Sequence, residues 1–207
     1  MKLLVLIFGD VIYKINSKLI EFILRKKGIK VGCNFYIQGL PKLKINGSAN
    51  NIKIGNNVRI LGDIDLRNRE NGQIIIKDNV SIDDNCRFVA ANDSIIKIGE
   101  STKIGLCTVF NAGESIDIGK KVLISGFCYI QSSNHKIEKD SFIQEQGHTY
   151  GKIKISDDVW LGSHVTILPN VTVGKGAIVG AKAVVSKNIK DYAINVGVPA
   201  KQIGERK

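Results

Sequence analysis

Three histidines, four cysteines and a single tryptophan are the residues of this 207-residue chain best suited to chemistry. An imidazole titrates near neutrality, so His135, His148 and His164 are the side chains able to move a proton at working pH. One such base suits transfer of a group to a hydroxyl or an amine. Three histidines converging on one point would suit a zinc-dependent lyase instead, but their spacing here follows no ligand motif, and no metal is expected. Cys33, Cys86, Cys107 and Cys128 include no CxxC pair and read as reduced thiols. The chain has no GxGxxG and no P-loop, which argues against a nucleotide-binding α/β fold.

The elements that must position these groups are announced by a repeat of six. From Ile155 the aliphatic positions Ile155, Leu161, Ile167, Val173, Val179 and Val185 keep perfect register, with glycine following at 162, 174 and 180. Small or β-branched residues recur four places on, at Val159, Val165, Val171, Ala177 and Ala183. The same register runs upstream through Ile54 and Ile60, Ile76 and Ile82, Ile98 and Ile104, and Ile118, Ile124 and Ile130. Cys86 and Cys128 fall on its inward positions. Six matches neither the helical period nor a long alternating strand, but it fits a short strand and a turn, three of which close a triangular coil of eighteen residues. Composition agrees, since 33 Ile and 17 Val against 13 Leu, with 21 Gly, favour strands and tight turns over a helical bundle. Six coils are expected from residue 54. Small surpluses are read as turn insertions, weaker sextets at Val31 and Ile37 as a further coil, and the long gap between Ile130 and Ile155 as a protruding loop, 131–154.

Residues 1–30 stand outside the repeat. Val11, Ile12, Ile15, Leu19, Phe22 and Ile23 recur at helical spacing among Lys14, Lys18 and Glu21, with Gly28 as a stop, which predicts an amphipathic helix. It either packs on the coils or a sister chain, or lies on a membrane through residues 1–27. The domain division is therefore 1–30 for the helix and 31–204 for the repeat. The apolar run Leu3–Phe8 is too short for a secretory signal and no small-residue cleavage site follows it, so a cytoplasmic protein is expected, peripheral at the membrane at most. The charge of +11 calls for an anionic partner, and net +5 of it lies in residues 1–30, with the rest read as spread thinly.

The ordered motifs Val159-Trp160-Leu161-Gly162-Ser163-His164-Val165-Thr166-Ile167-Leu168-Pro169, Val179-Gly180-Ala181-Lys182-Ala183-Val184-Val185 and Gly197-Val198-Pro199-Ala200-Lys201 resemble the C-terminal signature of hexapeptide-repeat acyltransferases. The likeness spans about residues 50–204 and leans to the maltose/galactoside O-acetyltransferase and capsule or O-antigen acetyltransferase branch. It implies an all-β, left-handed parallel β-helix, a homotrimer, and acetyl-CoA held between neighbouring subunits. It also implies a carbohydrate acceptor in place of nucleic acid. By the same resemblance His135 is the general base, Asn111 positions the substrate, and Trp160 walls the acetyl and pantetheine arm. Ser163, Ala181, Lys187, Pro199 and Lys201 then contact the cofactor. His148 and His164 are expected to have no role. The hydrogen-bond partner of His135 stays open among Glu138, Asp140, Glu145 and a backbone carbonyl. The leading expectation is O-acetylation of a cell-surface glycan or its precursor; N-acetylation of an amino sugar nucleotide and a non-catalytic scaffold are the alternatives.

Overall fold

The computed structural model describes Leu6 and residues 9–207; the remainder of the Leu3–Phe8 run lies outside the described residues. Three parallel sheets form the faces of a triangular solenoid. The first face runs from Lys30–Val31 to Thr172–Val173, the second from Tyr36–Ile37 to Ala193–Val196, and the third from Pro41–Ile45 to Val184–Val185. Among the described residues seven coils each contribute one strand to each face; an eighth parallel strand, Ala193–Val196, extends the second face and pairs with the antiparallel strand Lys201–Glu205 that closes the far end. Val31 pairs in register with Ile54 and Ile37 with Ile60, so the weak sextets do form a complete first coil.

Period six works because each inward residue stacks on its equivalent one coil away. Ile76, Ile98, Ile118, Ile155 and Val173 form one such ladder, and Ile82, Ile104, Ile124, Leu161 and Val179 another, all buried. The upstream surpluses lie only partly in turns. They also lengthen strands to five residues at Ile64–Asn68 and Cys86–Ala90 and to four at Gln73–Ile76 and Ile95–Ile98, so the middle coils are wider. Aromatic rings fill the extra width: Phe88 and Phe110 are fully buried and stacked at 4.7 Å. At the corners a non-glycine residue repeatedly takes positive φ, as at Cys107, Phe127 and His164. Gly162 shows how closely coils approach, since a Cβ there would come within 2.6 Å of the Ala181 backbone nitrogen.

Cys86 and Cys128 are buried in the core, whereas Cys33 is exposed and Cys107 half-buried. Burial disfavours the thiolate and pushes the Cys86 thiol up to about 12 and the Cys128 thiol to about 11, from 9.0. The unfolded chain releases these protons near 9 while the fold retains them, so their contribution to stability is complete below pH 9 and declines as pH rises from there toward 12. A thiol reagent at pH 8 is expected to modify Cys33 and Cys107 promptly, and Cys86 and Cys128 only after unfolding. Four prompt thiols would contradict this packing.

The helix Asp10–Lys26 closes the first end of the solenoid. Ile20 and Leu24 are buried beside Ile29 and Phe35, and Ser17 Oγ accepts from Ile37 N at 2.8 Å. The helix ends at Gly28 as the sequence predicts: with φ of 91°, Gly28 N–H donates to Arg25 O while Ile29 N–H donates to Leu24 O. It is a lid on the core, and deleting it would uncover the first coil. Its opposite face stays exposed, so packing and surface exposure belong to two different faces of one helix.

Candidate functional site

The insertion after the third face is a hairpin rather than an open loop. Ser133–His135 pairs antiparallel with His148–Tyr150, while Gln131 and Ile153 already belong to coil strands. Its root is fixed by the buried Ser132, whose hydroxyl accepts the N–H groups of Gly113 and Glu114 at 3.1 and 3.0 Å. The Tyr150 ring lies directly over Gly113, where a Cβ would come within 2.6 Å of it, so only glycine admits the tyrosine there.

This hairpin places His135 opposite His148, with ring centroids 4.3 Å apart. Tyr150 continues the row, 6.2 Å from His148. His148 is thus no distant loop residue: the twelve intervening residues fold back and return it to the neighbour of His135. The cue available in sequence was the pair of polar triplets, Ser133-Asn134-His135 and His148-Thr149-Tyr150, flanking the excursion. Among the described residues the His135 ring meets another imidazole rather than Glu138, Asp140 or Glu145. Glu138 is engaged through its backbone by Gln146, whose side chain also donates to Ser141 O and braces the tip. Asn111 pairs in register with Gln131, and the Gln131 amide donates to the Ser133 carbonyl, so Asn111 sits at the foot of the hairpin.

The other predicted residues divide by position. Trp160 lies on the outer side of the second face, 46% exposed, its Nε1–H donating to Ser125 Oγ at 3.3 Å, while the adjacent Leu161 is buried. Ser163 and Ala181 occupy successive coils of the corner between the second and third faces, where Ser163 O accepts from Lys182 N. Gly197 O and Ala200 N both bond Val184, which places Pro199 at the end of that same corner, and Lys201 opens the closing strand beside Val196. Lys187 instead follows Val185 at the opposite end of the third face, on the corner from which the hairpin leaves. One set, Asn111, His135 and Lys187, therefore lies at the trailing end of the third face, Asn111 within its strand Val109–Ala112, and the other, Trp160, Ser163, Ala181, Pro199 and Lys201, precedes that face. A single chain does not gather both sets into one pocket. His164 is an exposed corner residue with its ring stacked on Phe127 at 4.9 Å.

The preceding corner also exposes an apolar strip that sequence reasoning missed. Leu106, Leu123, Phe127 and Tyr129 are each at least 39% exposed; Leu123, Phe127 and Tyr129 lie on the coil next to Trp160 and Leu106 on the one beyond it. Their outward places in the hexad were readable, but each looks isolated until the coils stack. An open groove of about 610 Å³ lies elsewhere, between the first two faces among Lys77, Lys97, Lys154 and Asp157. It touches neither set. Among the described residues no cluster of three His, Cys, Asp or Glu is arranged to hold a metal.

Residues 152–187 match the model of the bacterial transferase hexapeptide, six repeats. The chain is 34% identical over 92 residues to the galactoside O-acetyltransferase of Escherichia coli, covering 44% of each protein. It is 29% identical over 143 residues to Escherichia coli WbbJ, named for O-acetyl transfer in lipopolysaccharide biosynthesis, covering 65% of this chain and 73% of that one. Against several curated relatives, the galactoside enzyme among them, the chain spans less than half of their length. Among solved structures it resembles AntD, an N-acyltransferase from Bacillus cereus in complex with dTDP-4-amino-4,6-dideoxyglucose and coenzyme A. That likeness has a TM-score of 0.64 at 27% identity and covers 90% of this chain and 89% of that one.

Proposed function

From the premise that the chain belongs to the hexapeptide-repeat acyltransferases, we propose that it transfers the acetyl group of acetyl-CoA to a hydroxyl of a surface-glycan sugar or its precursor on the cytoplasmic side of the membrane. The observation that carries the reading is the hairpin that fixes His135 in ring contact with His148, accessible to solvent at the edge of a rigid solenoid. His135 accepts the proton of the acceptor hydroxyl as its oxygen attacks the thioester carbonyl. The tetrahedral intermediate collapses, the C–S bond breaks, and the imidazolium returns its proton to the departing CoA thiolate. We take transfer as direct: Cys86 and Cys128 face the core and hold their protons, so neither offers a nucleophile for a covalent acyl intermediate. His148 is a positioning residue that limits the orientations of the His135 ring.

The division of the predicted residues supports a site shared between subunits of a homotrimer. His135, Asn111 and Lys187 come from one chain, while Trp160, Ser163, Ala181, Pro199 and Lys201 of its neighbour line the cofactor. The strip Leu106, Leu123, Phe127 and Tyr129 is apolar surface of the kind a subunit contact covers. Ile137 and Phe142, each 78% exposed at the hairpin tip, would lean on that neighbour. Lys187 and Lys201 serve as point charges for the phosphates of CoA. Replacing either with Glu is expected to raise the KM for acetyl-CoA by about one to two orders of magnitude, with kcat little changed and the effect shrinking as salt rises. Equal weakening of acetyl-CoA and dephospho-acetyl-CoA at every salt concentration would remove the lysines from recognition of the 3′-phosphate.

The likeness to AntD favours a second reading, acyl transfer to the amine of a nucleotide-linked amino sugar. A screen of neutral sugars, acidic glycans and amino-sugar nucleotides with acetyl-CoA separates the two. Free CoA is read as thiol and the product by mass and by base lability, since an acetyl ester hydrolyses in mild alkali and an amide does not. Ester products support the first reading, amide products the second, and no turnover with any acceptor counts against both.

A further inference from the structure

Charge is far from evenly spread along this solenoid. Residues 1–60 hold eleven Lys or Arg against Asp10 and Glu21, net +9 of the chain's +11, and residues 31–60 contain no acid. In the fold these charges, among the described residues, surround one end. Lys30 and Lys53 lie on the first face, Arg59 on the second, and Lys42 and Lys44 on the third, all exposed and all within the first two coils.

The lid helix covers that same end and has three sides. At 100° per residue, Tyr13, Asn16, Ser17, Ile20 and Leu24 turn toward the coils, where Asn16 Nδ2 donates to Ile37 O and Gly39 O. Val11, Ile15, Leu19 and Phe22 turn the other way and are 58%, 61%, 56% and 59% exposed. Lys14, Lys18 and Arg25 edge this apolar side, and Lys26 sits over the Phe22 ring at 5.6 Å. No described helix is long and apolar enough to cross a membrane.

We propose that this end of the solenoid docks on an anionic lipid bilayer, with the exposed side of the helix seated among the headgroups and the basic collar of the first two coils facing the lipid phosphates. The proposal goes beyond acetyl transfer and does not depend on it. Charge complementarity selects the occupant. A second copy meeting this face with its own would bring two basic collars together, whereas an anionic bilayer meets both the apolar side and the cations. The helix is about 10 Å across and coils stack about 4.8 Å apart, so the first two coils lie within about one to two Debye lengths of the surface, while Lys175 and Lys190 in the last coil are about 29 Å farther away than the first.

The test is sedimentation of the full chain with vesicles of phosphatidylcholine alone and of phosphatidylcholine with phosphatidylglycerol. Binding is expected only to the anionic vesicles and should fall steeply as salt rises. Ile15→Ser with Phe22→Ser leaves the buried side of the helix intact, so thermal stability should hold while the bound fraction drops at least about tenfold. Lys42→Glu with Lys44→Glu should weaken binding without touching the helix, and Lys175→Glu with Lys190→Glu should leave it unchanged. Equal binding by the native chain and the helix variant would overturn the proposal. So would binding that ignores lipid charge, or a helix variant that changes the oligomeric mass while the native chain binds no vesicle; the last result would assign the face to a second copy. Acetyltransferase activity on a soluble acceptor serves as a separate readout and should be the same in all these variants.

Discussion

His135→Ala is expected to lower kcat by about 10²–10⁴, the usual worth of a general base, while the KM for acetyl-CoA stays within about twofold. The ring stands on a hairpin anchored by Ser132 and by Tyr150 over Gly113, so removing the imidazole should leave the solenoid and the cofactor residues in place. His148→Ala keeps the base but frees its ring, and a loss of about tenfold in kcat is expected, because orientation rather than proton transfer is affected. Steady-state kinetics of the two variants with a saturating acceptor measure both effects. Full activity in His135→Ala would remove it from the mechanism, and a larger loss in His148→Ala would exchange the roles of the two histidines.

Phe127→Asp is the second large effect. Phe127 is 47% exposed in the apolar strip and has φ of 62°, a conformation that aspartate tolerates better than phenylalanine. The substitution should therefore spare the fold of the single chain while placing a charge where the proposed neighbouring subunit would pack. Light scattering is expected to report monomers that keep a native circular-dichroism spectrum but melt lower than the native protein, and activity should fall by at least about 10², since on the shared-site proposal each chain then holds only half of the site. A fully active monomer would show that one chain suffices.

The hexad was readable in the sequence because stacking is strictly local: every inward residue meets its equivalent one coil away, so period and burial coincide from Ile54 to Val185. Gly28 announced the end of the helix by its conformation. What the sequence hid depended on how distant segments come together. His148 lies near His135 only because the chain reverses between them, and reversal leaves no period. The wide coils were read as long turns because strand and turn residues count alike until Phe88 and Phe110 are seen filling the added width. Helical spacing revealed that the N-terminal segment is amphipathic but not that Ile20 and Leu24 would be buried while Ile15 and Phe22 remained outside. The predicted site residues were placed by resemblance, and their division between the two ends of the third face emerges only from the coil.

Mixing two inactive variants tests the shared site most directly. One chain carries His135→Ala; the other carries Trp160→Ala with Lys201→Glu and is assayed at acetyl-CoA well below the native KM. In randomly mixed trimers about a quarter of the subunit boundaries join an intact His135 to an intact Trp160 and Lys201, so about a quarter of native activity should return on co-assembly. Mixed assemblies no more active than the average of their two parents would place the whole site within one chain and contradict the account.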